Sequence, residues 1–261
     1  MASNIQSEAE SARDRAQESV VIVRVNTDPN EYCCGCVVRS KFVGGSGNRT
    51  TLVITSSKFV QGRENDLTVV FWNKKELKAT FLRTHGAFCL LATDFYLWCQ
   101  PIHLLEGNAG LENSRTFMRV PLNHSTTRFV FTYTSSRSVE SYPVETPNHA
   151  VPNSHEYFMV SCSYFQKTSK GVSRLTGAPV FCTGDAGTAG RTIGIILQDC
   201  RPATGCSGAE FKVALNASHL QKVLSILDPP DPPQKRNHNL SGGKKRKATG
   251  SGGGRGRRQR V

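Results

Sequence analysis

The chain has 261 residues, with 33 Lys+Arg against 20 Asp+Glu, a formal net charge of +13 and a sequence pI near 9.5. That length allows one or two domains with a real core. No apolar run approaches the roughly 20 residues that a membrane-spanning helix needs, so no membrane span is expected. Hydrophobic residues make up 38% of the chain, low enough to predict segments that bury nothing.

Residues 1–18 carry Glu8, Glu10, Asp14 and Glu18 and no apolar stretch. They read as a polar, disordered leader and not as a secretory signal. Short β-type runs follow. Val20–Val25 is a β-branched run, and Cys34–Val43 ends in the hairpin-type loop Gly44-Gly45-Ser46-Gly47-Asn48. Leu52–Thr55, Leu67–Phe71, Phe88–Leu91, Phe129–Tyr133, Tyr157–Ser161, Pro179–Phe181, Thr192–Leu197 and Phe211–Leu215 continue the pattern. Many short strands with Gly, Pro and Asn between them predict an all-β barrel or sandwich. A parallel α/β fold would need long helical patterns between strands, and the sequence has none.

One helix is expected near the end. Asn216-Ala217-Ser218 offers capping side chains, and Leu220, Val223, Leu224 and Leu227 recur at helical spacing. Asp228-Pro229-Pro230-Asp231-Pro232-Pro233 stops it and makes a semi-stiff spacer. The remainder is rich in glycine and basic residues and is expected to be disordered.

The charge is concentrated there. Lys235, Arg236, Lys244, Lys245, Arg246, Lys247, Arg255, Arg257, Arg258 and Arg260 stand in a stretch with no acid. Taking those ten from 33 leaves 23 basic against 20 acidic residues over 1–233, a near-neutral body. Lys244-Lys245-Arg246-Lys247 reads as a nuclear import signal, which implies an import receptor as partner and a nuclear location, with the cytoplasm as a second site. Arg255, Arg257, Arg258 and Arg260 among glycines fit non-specific nucleic-acid contact, which would be strongly salt-dependent. No aromatic residue is interleaved there, so no base stacking is encoded.

The nine cysteines, an odd number, fit reduced thiols. Cys33 and Cys36 have the spacing of half a zinc site, but Cys200 and Cys206 stand too far apart to complete it. No metal and no cofactor is expected.

Three segments carry a family resemblance. Leu52-Val53-Ile54-Thr55-Ser56-Ser57-Lys58 looks like the strand that leads to a catalytic histidine. Ala87-Phe88-Cys89-Leu90-Leu91 looks like Asp-Leu-Ala-Leu-Leu, and Arg174-Leu175-Thr176-Gly177-Ala178-Pro179 looks like Gly-Asp-Ser-Gly-Gly-Pro. In this order they resemble the trypsin-like serine proteases, in particular their HtrA/Deg-like and plant trypsin-like branch. The resemblance covers about residues 19–227. It implies two β-barrels with a cleft between them, and the closing helix fits it; the Pro-rich spacer and basic tail occupy 228–261.

The triad positions all depart from the pattern. The resemblance places Lys58 at the histidine, Ala87 at the aspartate and Thr176 at the nucleophile. Arg174 stands where the family has a glycine whose amide serves the oxyanion hole. A hydroxyl needs a base within hydrogen-bond reach, and Ala87 cannot orient one. The expectation is a catalytically degenerate homologue that binds a peptide or protein in the cleft. Two alternatives stand beside it. One is an endopeptidase using a neutral Lys58 and Thr176 as a dyad; the other is a nucleic-acid-associated protein acting through its tail.

Overall fold

A computed structural model describes residues 10–12, 14–42, 49–106, 115–135, 156–164, 166–183, 188–200 and 211–229. The expected glycine-rich hairpin loop at 44–48, the import block Lys244–Lys247 and the basic positions Arg255–Arg260 lie outside them.

The first six strands are β1 (Val20–Val25), β2 (Tyr32–Phe42), β3 (Arg49–Ser56), β4 (Leu67–Phe71), β5 (Glu76–His85) and β6 (Phe88–Asp94). They close into an antiparallel barrel in the order β1-β2-β3-β6-β5-β4. The next six are β7 (Arg115–Pro121), β8 (Thr127–Ser135), β9 (Tyr157–Ser161), β10 (Pro179–Cys182), β11 (Thr192–Cys200) and β12 (Phe211–Asn216). They close in the order β10-β11-β12-β9-β8-β7, so the second barrel repeats the strand order of the first. This is the trypsin-like double barrel that the resemblance implied.

The continuous apolar run of β1 has a plain cause. Val21, Val23 and Val25 point into the first barrel with Val53, Val69 and Leu91. Its other face is covered too. Ile22 packs with Tyr32 and Val70, and Val20 with Ala16, Phe117 and Phe181. A strand buried on both sides has no polar alternation to show.

Ala16 belongs to a segment that differs from the expectation. Residues 10–12 and 14–17 are helical, and Ala12 and Ala16 are buried. The leader over 1–18 is therefore ordered in its described part, held by two alanines one helical turn apart.

A shared apolar layer joins the barrels. Cys36, Leu52, Ile54, Phe88 and Leu90 from the first barrel meet Ile195 and Leu215 from the second. Helix α2 (Ala217–Leu227) lays Leu220 and Leu227 on the same layer. Asn216 caps it, with Oδ1 accepting from the His219 amide at 2.9 Å. At its far end Asp228 pairs with Arg39 of β2 at 2.6 Å.

Cys33, Cys34, Cys36, Cys89, Cys99 and Cys162 are buried free thiols. Burial pushes the Cys33 thiol up to about 12 and raises those of Cys36 and Cys89 still further, so they stay protonated and inert. Among the described residues no group of three His, Cys, Asp or Glu side chains is placed to hold a metal.

Candidate functional site

β3 ends at Ser56, whose Oγ accepts from the Phe59 amide at 3.3 Å and caps a single helical turn, α1 (Ser57–Val60). Lys58 stands on this turn and is exposed. The Ser57 amide donates to the Ala87 carbonyl at 2.9 Å, and Ser57 Oγ donates to the Gly86 carbonyl at 3.0 Å. These bonds bring the turn that carries Lys58 against the β5–β6 turn that carries Ala87.

The third position arrives from the second barrel. Thr176 lies in the loop before β10. The next residue, Gly177, has φ +93, and a Cβ there would lie 2.6 Å from the Cys34 carbonyl oxygen and 3.2 Å from the Thr55 Cα. The loop thus rests directly on β2 and β3, three residues before Lys58. In β3, Thr55 pairs with Cys89, two residues past Ala87. The backbone brings Lys58, Ala87 and Thr176 to one place.

Their side chains are not arranged as a triad. Thr176 is buried, and its hydroxyl donates to the Leu197 carbonyl at 3.2 Å. That carbonyl is available because β11 bulges there, its register shifting between Ile196 and Gln198. Ala87 has no polar atom beyond its backbone. His85, at the end of β5, is exposed.

The amides that could hold an oxyanion are the nucleophile's own and the one two residues before it. Here the Thr176 amide donates to the Ser173 carbonyl at 3.0 Å, and the Arg174 amide to the Gln166 carbonyl at 2.9 Å. Both donors are occupied within the loop.

The Arg174 side chain is held against the first barrel. Its guanidinium lies 4.0 Å from the centre of the Tyr32 ring. Nη2 donates to the Asn30 carbonyl at 2.9 Å and Nη1 to Gln166 Oε1 at 3.1 Å. The same Oε1 accepts from the Tyr164 and Tyr32 hydroxyls at 3.0 and 3.3 Å.

Sequence reasoning missed a second set of contacts. The turn around Ser169 clamps onto the first barrel. Glu31 accepts from the Ser169 amide at 2.8 Å and the Ser169 hydroxyl at 2.7 Å. Arg63 donates to Glu31 at 2.9 Å and to Ser169 Oγ at 3.1 Å. Lys170 donates to the Gln61 carbonyl. No sequence signal links Glu31 to Ser169, because 138 residues separate them.

Burial works against the Glu31 charge, but the bonds from Ser169 and Arg63 outweigh it and hold the carboxyl below its usual range. A depressed folded value contributes stability that is present above the unfolded value and lost as pH falls through the folded one. Unfolding stability is therefore expected to decline below about pH 4.3, the ordinary glutamate value. Glu31→Gln is expected to cost about 1–3 kcal/mol at neutral pH. The gap to the parent should close in acid, as urea melts across pH would show. An equal gap at all pH values would contradict the clamp.

No protein-family model matches the chain, and no curated protein does. Solved structures do match in fold. The Rv3671c protease of M. tuberculosis in its inactive form aligns with a TM-score of 0.55 at 15% identity, over 83% of this chain and 92% of that one. Its active form aligns at the same score and identity, over 85% and 86%. An HtrA-type protease with a tripeptide gives 0.55 at 13%, over 85% of this chain and 64% of that one.

Proposed function

We propose that the chain is a non-catalytic, peptide-binding or protein-binding form of the serine-protease double barrel. The observation that carries this reading is the state of the two oxyanion-position amides, both bonded to carbonyls of their own loop. Loss of one such donor costs a protease about 10²- to 10³-fold in turnover. The side chains support the same reading. Thr176 directs its hydroxyl at Leu197, and Ala87 supplies no carboxylate. The competing dyad needs a desolvated Lys58 amine, and Lys58 is exposed. The double barrels that match in fold include an HtrA-type protease described with a tripeptide.

A proteome-derived peptide library, incubated with the protein and read by mass spectrometry, tests the reading. Retained peptides are expected to come back intact. Cleavage products that disappear in Thr176→Ala would establish an endopeptidase instead. The variant carrying Lys58→His, Ala87→Asp and Thr176→Ser is expected to gain less than about tenfold over buffer, because a triad without its oxyanion donors lacks the larger electrostatic contribution.

Residues 234–261 support a nuclear location through Lys244, Lys245, Arg246 and Lys247. A reporter bearing that segment is expected to enter nuclei and to stay out once the four residues are alanine. Cytosolic retention of the parent fusion would remove this part of the proposal.

A further inference from the structure

The chain contains two tryptophans, and both lie on one exposed patch. Trp72 is 40% exposed, Leu97 66% and Trp98 64%. Large apolar side chains grouped in this way mark an interaction surface, whereas single ones are ordinary. The patch is far from the cleft. It forms where the β4–β5 turn meets the segment after β6, and β5 runs its ten residues from this end of the barrel to the turn at Gly86.

The patch is held in shape from below. Trp72 Nε1 donates to the Trp98 carbonyl at 2.9 Å. Asn73 donates to the Tyr96 hydroxyl, and the Tyr96 ring packs on Phe71 with centroids 4.5 Å apart. The Trp72 indole and the Trp98 backbone are therefore fixed before any partner arrives, which lowers the ordering cost of binding. Tryptophans in such positions commonly dominate binding energy.

The surrounding charge says what fits. At this end of the barrel stand Lys74 and Lys75 against Glu76 and Asp94. Glu76 is already paired with Arg24 at 2.5 Å. Lys74 and Lys75 are exposed in the same turn as Trp72. Leu97 adds an aliphatic surface, which suits apolar side chains better than stacked bases.

We propose that Trp72, Leu97 and Trp98, rimmed by Lys74 and Lys75, dock an acidic protein segment that carries apolar anchor residues. The cleft and its proposed ligand take no part in this contact.

The test uses the full chain and a display library of short segments built from Asp, Glu, Leu, Ile and Phe. A matched library with Lys in place of Asp and Glu is the control. Because both tryptophans report from the patch, intrinsic fluorescence reads binding directly. The acidic library is expected to yield binders that shift the emission to shorter wavelength and saturate. Lys74→Glu with Lys75→Glu keeps both tryptophans and is expected to weaken these binders at least tenfold. Leu97→Ser is expected to do the same with an unchanged circular-dichroism spectrum. No enrichment, equal enrichment from the basic library, or fluorescence quenching by oligo(dT) alone would overturn the proposal. Concentration-dependent self-association abolished by Leu97→Ser would also overturn it, by making a second copy the occupant.

Discussion

Lys212→Met is expected to destabilise the protein by about 3–5 kcal/mol, a large part of a typical domain's total. The Lys212 side chain is 0% exposed, and its Nζ lies 2.7 Å from Asp199 Oδ1. The two residues face each other across the β11–β12 ladder. Among the described residues, Asp199 Oδ2 is buried and has no hydrogen-bond partner. Removing the ammonium would leave a nearly buried carboxylate without the counter-charge it now faces. Adding Asp199→Leu is expected to restore most of the loss, because an apolar pair of similar volume avoids both desolvation costs. Urea denaturation of the two single variants and the double variant measures this directly. A single-variant cost below about 1 kcal/mol would mean that the pair is not buried as described. The pair also bears on the site. Leu197, which receives the Thr176 hydroxyl, lies two residues before Asp199 on the same strand. A strand loosened at Asp199 would no longer hold that carbonyl in place.

Strands written mainly in apolar or aromatic residues are legible in the sequence, β8 among them although Phe131 and Tyr133 are exposed, whereas β5 and β7 are not. Val20–Val25 and Leu67–Phe71 are visible because both are nearly all valine, isoleucine, leucine or phenylalanine. β5 was not among the expected strands. Over ten residues it buries only Ala79 fully, and it carries Glu76, Lys78, Arg83 and His85 on a wall open to solvent. β7 was missed for a related reason, since its buried Phe117, Met118 and Val120 are interrupted by Arg119 and flanked by Arg115 and Pro121. The leading helix offered only alanines as its buried side chains, a pattern too weak to separate from a polar coil.

At the site, the convergence of Lys58, Ala87 and Thr176 was legible because strand order carries it. What occupies the space between them was not. The partners of Arg174 illustrate the difference. Gln166 is eight residues away and Asn30 is 144. Neither contact leaves a periodicity or a spacing in the chain, because the first depends on the path of the loop before β10 and the second on how that loop meets the first barrel.

Gly177→Ala is expected to be more damaging than its single methyl suggests. Gly177 follows Thr176 and has φ +93, where an L side chain costs about 1–2 kcal/mol. The new methyl would also fall 2.6 Å from the Cys34 carbonyl oxygen and 3.2 Å from the Thr55 Cα. Both are backbone atoms and cannot rotate aside, so overpacking should add about 1–3 kcal/mol. Gly171→Ala provides the control. Gly171 has φ +71 in the same loop, but a Cβ there meets nothing within 4 Å. It should show the backbone cost alone. For a chain of this size each kcal/mol lowers Tm by about 2–4 °C, so thermal melts can separate the two variants. The excess at Gly177 has a structural reporter. The Cys34 amide donates to the Arg174 carbonyl at 2.8 Å, a bond between the first barrel and the loop. Its hydrogen exchange should quicken in Gly177→Ala and stay slow in Gly171→Ala. Equal exchange in both would mean that the loop does not rest on the first barrel through Gly177. Slow exchange lost only in Gly177→Ala would show that this one close approach seats Arg174 and Thr176 against Lys58 and Ala87, and with them the closed state of the two amides on which the proposed function depends.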